Sequence, residues 1–124
     1  MQLLIPTLIV LHVLPAAFWF GVTGVLARLG PEGAALPLKG PQFGSAAVAI
    51  VFGAVLWGAA HIAFGVQGQV LATGAICALG GLLLQHVAWR AAGRSPRTFA
   101  GAQRGSALLV ALALIAMLVF PFVA

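Results

Sequence analysis

Residues 40–89 contain no Asp, Glu, Lys or Arg, and nearly all of that run is apolar. The run is too long for one membrane crossing and fits two crossings joined by a tight turn. Charge-free apolar stretches also cover residues 1–27 and 105–124. A bilayer core of ~30 Å takes roughly 20 apolar residues per helix. The pattern predicts an all-α integral membrane protein, an up-down four-helix bundle. The expected spans are about residues 3–27, 43–64, 70–89 and 106–120, in a single transmembrane domain covering residues 1–124. At 63% hydrophobic and 6% charged residues, the composition excludes an ordinary soluble domain. The first span is read as a retained helix, because it lacks the basic leader and short apolar core of a cleaved signal.

All six basic residues, Arg28, Lys39, Arg90, Arg94, Arg97 and Arg104, fall around two segments, about 28–40 and 91–104. Short basic loops of membrane proteins face the cytoplasm. Both termini and the uncharged turn Gly65–Gln69 are therefore expected on the non-cytoplasmic side. The positive charge reads as a topology signal that also attracts anionic lipid, not as a nucleic-acid surface. The Ala-, Gly- and Arg-rich composition suggests a bacterial inner membrane. The lone Cys77 lies mid-span and reads as packing. Small residues recur four apart at Ala17/Gly21, Ala49/Gly53, Ala54/Gly58, Gly74/Ala78 and Ala107/Ala111, spacing that lets helices approach closely in lipid. Pro15 lies inside the first span and frees the carbonyl of Leu11, so a kink beside His12 is expected.

Three histidines stand out in these apolar spans: His12, His61 and His86. Each has a tryptophan on or near its helical face: Trp19 two turns after His12, Trp57 one turn before His61, Trp89 three residues after His86. Polar side chains inside a membrane are costly and usually functional. Imidazole ligates haem iron, and four-helix bundles hold cofactors between facing helices. Haem b is the cofactor these residues suggest. At 1.5 Å per residue, His12 lies roughly 14 Å below the outer surface, His61 roughly 5 Å and His86 roughly 25 Å. His12 with His61 is the least strained pair, and a single-histidine haem on His12 is equally allowed. The bland alternative is that each histidine bonds a backbone carbonyl at a helix interface, with Trp57 and Trp89 as interfacial anchors.

The stretch Leu11-His12-Val-Leu-Pro-Ala-Ala-Phe-Trp19-Phe20-Gly21 resembles the opening helix of the HemJ-type protoporphyrinogen oxidases and of the CopD-type copper-resistance membrane family. The HemJ-type pattern also has an arginine nine residues after the tryptophan, and Arg28 stands at that spacing. His86 looks like the late third-span histidine of that family, and Pro121-Phe122 like its closing pair. The resemblance implies a four-helix membrane fold with haem at His12 and with Trp19, Arg28 and His86 as further cofactor-binding candidates; His61 is a candidate from its place in the second span alone. It is strongest over residues 11–28. The lysines near spans 2 and 3 and the Asn-Glu-Val-Pro stretch of HemJ-type proteins have no counterpart here. The only acidic residue, Glu32, falls in a loop. Porphyrinogen oxidation removes protons as well as electrons, so the acid–base equipment of a complete enzyme is missing. Two methionines and one cysteine are too few soft ligands for Cu(I) handling.

The expectation is a small four-span protein that binds haem b for electron transfer or tetrapyrrole handling and is not a complete enzyme. The alternative is a cofactor-free structural accessory subunit of a larger bioenergetic or photosynthetic membrane complex. Partners under either reading are the bilayer and other membrane subunits or further copies of the chain. A transporter is disfavoured, since the spans hold no charged pathway.

Overall fold

Among the described residues, four helices are long and apolar enough to cross a membrane. The computed structural model describes residues 2–123 except Phe64, with the Ala34 side chain left aside. Phe64, the expected end of the second span, lies outside the described residues, as does Met1. Helix α1 is Leu4–Leu26, α2 Lys39–Ala59, α3 Val66–Ala91 and α4 Pro96–Val119. A short 3₁₀ segment, Gly33–Leu38, precedes α2, and another, Phe120–Phe122, follows α4.

Each helix begins and ends for local reasons. Helix α1 runs through Pro15 without a break in its helical assignment. The proline- and glycine-rich segment after α1 cannot continue a helix, and Gly33 takes a positive φ of 58° there. Helix α2 ends where His61 adopts a left-handed φ of 49°, a conformation that histidine tolerates better than most residues. Helix α4 starts at Pro96, ten residues before the expected 106. Ser95 caps it by accepting a hydrogen bond from the Thr98 amide, and Pro96 fills the first turn, where no amide donor is needed. Charge at Arg97 and Arg104 had placed this turn in a loop, but the cap and proline start the helix earlier.

Contacts define the topology. His12 meets Ala49, and Thr23 meets Gln42, so α1 and α2 run antiparallel. Gly74 lies against Ala113 and Ala116, while Gly81 lies against Ser106 and Val110, so α3 and α4 do the same. The two hairpins join chiefly through α1 and α4, and α2 touches α3 sparsely. In this up-down order, Arg28, Lys39, Arg90, Arg94, Arg97 and Arg104 all gather at one end of the bundle.

Small residues carry the helix contacts, as lipid supplies no hydrophobic force to drive helices together. Of the expected pairs, Ala49/Gly53 faces α1, and Gly74 faces α4. Ala17/Gly21 and Ala54/Gly58 point outward instead. The chain is rich in Ala and Gly on every face, so spacing alone does not reveal which pair is inside. One core cluster comprises Ala16, Trp19, Ala46, Ala49 and Val110. A second, at the basic end, comprises Val22, Leu26, Ala35, Ala88 and Phe99, with Trp89 packed edge-on to Phe99 at 5.0 Å between ring centroids.

Candidate functional site

The inward stripe of α1 runs Leu8, His12, Ala16, Trp19, Thr23 and Leu26, spaced by three or four residues. His12 is half-buried on this stripe. Its Nδ1 lies 2.6 Å from the Ala49 carbonyl of α2. A carbonyl only accepts, so Nδ1 carries the proton and Nε2 is left with its lone pair. The ring lies over Gly53: a Cβ built there would stand 2.6 Å from His12 Cε1. A glycine at this position is what allows the imidazole to reach α2. Metal-ligating histidines characteristically donate their second ring N–H to a carbonyl in this way. Nε2 is therefore the ring nitrogen left able to act as a ligand.

The other candidates do not gather around it. His61 is exposed in the turn after α2, eight residues beyond Gly53, or roughly 12 Å further toward the outer end. His86 is exposed on α3. Its neighbour Gln85 bonds Trp19, so His86 lies level with Trp19, seven residues or roughly 10 Å from His12 toward the basic end. Arg28 is exposed sixteen residues after His12, a rise of roughly 24 Å. Trp19 is 2% exposed and its indole is engaged elsewhere. No group of three or more His, Cys, Asp or Glu side chains forms a metal cluster among the described residues. The geometry thus brings His12 to a helix interface by itself and spreads His61, His86 and Arg28 along the bundle.

The sequence reading missed the most connected polar feature, a core of amides. Gln42, Gln85, Gln103, Thr23 and Ser106 are fully buried. Gln42 reaches all three other helices. Its Nε2 donates to Thr23 Oγ1 at 3.0 Å and to Gln103 Oε1 at 2.8 Å, and its Oε1 accepts from Trp89 Nε1 at 2.8 Å. One layer further in, Trp19 Nε1 donates to Gln85 Oε1 at 2.6 Å across the α1–α3 diagonal. Ser106 Oγ donates to the Gly81 carbonyl at 2.7 Å, tying α4 to α3. Among the described residues, Gln85 Nε2 has no hydrogen-bond partner. The available signal was three glutamines in apolar surroundings, each within a few residues of a basic one: Lys39/Gln42, Gln85/Arg90 and Gln103/Arg104. Buried polar groups need partners, and here, Gln85 Nε2 aside, they find them on neighbouring helices.

These amides do not titrate, so the network can fix helix register but cannot move protons by acid–base chemistry. The chain matches no protein-family model, no curated protein and no solved structure.

Proposed function

We propose that this membrane protein carries haem b on a single histidine, His12, for electron transfer or tetrapyrrole handling. The observation that carries the reading is the His12 hydrogen bond. Nδ1 is pinned to the Ala49 carbonyl, which sets the tautomer and presents Nε2 as the ligand nitrogen. The placement of His61 and His86 favours one histidine over a pair. The resemblance of residues 11–28 to the HemJ-type opening helix points the same way. Bound haem would supply one-electron redox chemistry.

The protein's own residues supply position, not proton transfer. The spans hold no carboxylate and no lysine apart from Lys39 at the first residue of α2. We therefore read the protein as a carrier rather than a complete oxidase. The basic end, by the positive-inside rule, faces the cytoplasm, with both termini across a bacterial inner membrane.

The test is an optical spectrum of protein purified in mild detergent, oxidised and dithionite-reduced, with a haemochrome assay for stoichiometry. A Soret band and a sharp reduced α band at one haem per chain support the reading. A colourless protein that co-purifies with a larger membrane complex overturns it and leaves the accessory-subunit reading.

A further inference from the structure

Between α2 and α3, in their halves nearer the basic end, a shallow groove opens on the bundle surface. Phe43, Leu79, Leu82, Leu83 and His86 line it. Its apolar walls face the bilayer, and Leu79 and Leu83 are more than half exposed. Charge sits only at its head. Arg90 lies one turn beyond His86 on the same face of α3 and is exposed. Lys39 lies one turn before Phe43 on α2, its Nζ 5.6 Å from the centroid of the Trp89 ring. The sole acidic residue, Glu32, lies in the preceding segment rather than on either helix.

Along α3 the order is therefore Arg90, His86, Leu83, Leu82, Leu79: cation at the membrane surface, imidazole next, then hydrocarbon. That is the order of a phospholipid reversed in charge. We infer that this groove is a binding site for one anionic glycerophospholipid. Its phosphate meets Lys39 and Arg90, with His86 beside it, and an acyl chain lies over Phe43, Leu79, Leu82 and Leu83. One feature separates this site from a basic rim that merely attracts lipid: Lys39 and Arg90 come from different helices, and each lies one turn from a residue that lines the same apolar groove, Phe43 and His86. The inference stands independently of haem at His12.

The experiment is native mass spectrometry of the detergent-solubilised full chain, incubated with equimolar dioleoyl phosphatidylglycerol and dioleoyl phosphatidylcholine. One retained phosphatidylglycerol per chain is expected in preference to phosphatidylcholine. Each surface cation contributes about 1 kcal/mol toward an anionic headgroup, so Lys39→Gln and Arg90→Gln should each weaken retention about fivefold. Arg97→Gln and Arg104→Gln, on α4 at the same end and away from the groove, should leave it unchanged. Leu83→Trp, which fills the groove without altering charge, should displace the lipid. Equal losses from the α4 variants, equal retention of phosphatidylcholine, or full retention in Leu83→Trp would each overturn the proposal.

Discussion

Replacing Gln42 with leucine removes a side chain that ties all four helices together. The volume is nearly conserved, so the effect isolates hydrogen bonding. Gln42 makes three bonds of 2.8–3.0 Å, to Thr23, Gln103 and Trp89, and a fourth contact with Gln103 Nε2 at the 3.5 Å limit. Interhelical hydrogen bonds in membrane proteins average about 0.6 kcal/mol, so three contribute about 2 kcal/mol. Leaving a buried donor or acceptor unpaired costs about 1–3 kcal/mol, and both Trp89 Nε1 and Gln103 lose their partner. Gln42→Leu should therefore destabilise the bundle by about 2–4 kcal/mol. The assay is reversible unfolding in mixed micelles of rising sodium dodecyl sulfate fraction, followed by circular dichroism. Gln67→Leu, at an exposed position in the first turn of α3, serves as control and should change little. The double variant Gln42→Leu/Gln103→Leu should cost less than the sum of the singles, because it removes both partners of one pair. A Gln42→Leu protein within about 0.5 kcal/mol of the parent, or strict additivity in the cycle, would refute the view that the amide core sets helix register.

Other consequences follow from single contacts. Gly53→Ala puts a Cβ against His12 Cε1, so the ring must leave Ala49. Haem content should fall with Gly53→Ala while the helical circular dichroism stays intact. His61→Gly should relieve a left-handed backbone that costs a non-glycine residue about 1 kcal/mol, leaving the protein equally or more stable and its haem content unchanged. Ser95→Ala should lose the α4 cap and about 1 kcal/mol, read in the same detergent titration. Gly81→Ala brings a Cβ to 3.0 Å from Val110 Cγ2 and 3.4 Å from the Ser106 carbonyl, so it should loosen the α3–α4 pair by about 1–3 kcal/mol.

The spans were legible because a membrane demands long apolar helices, and no other fold uses a charge-free run like residues 40–89. Helix ends were less legible. Charge suggested that residues 91–104 form a loop, whereas Ser95 and Pro96 carry a start signal that needs only four residues to recognise. His12 was read as the foremost candidate and does reach a neighbouring helix. Its partner could not be read, because the Ala49 carbonyl is backbone, and any residue there would offer the same acceptor. The amide core was overlooked because a glutamine near the end of a span looks the same in sequence whether it turns inward, as Gln42, Gln85 and Gln103 do, or outward, as Gln67 does. Only the packing of α1 and α3 shows that Gln85 turns inward while adjacent His86 turns out. Adjacent helical residues point about 100° apart, so one register step separates core from lipid.

The most direct measurement compares reduced-minus-oxidised optical spectra of the parent with those of His12→Ala, His61→Ala and His86→Ala, each purified at equal protein concentration. The account predicts that His12→Ala alone loses the haem bands, and that His61→Ala and His86→Ala keep the parent's spectrum and stoichiometry. Haem bands that survive His12→Ala, or that vanish equally with His61→Ala or His86→Ala, would contradict it.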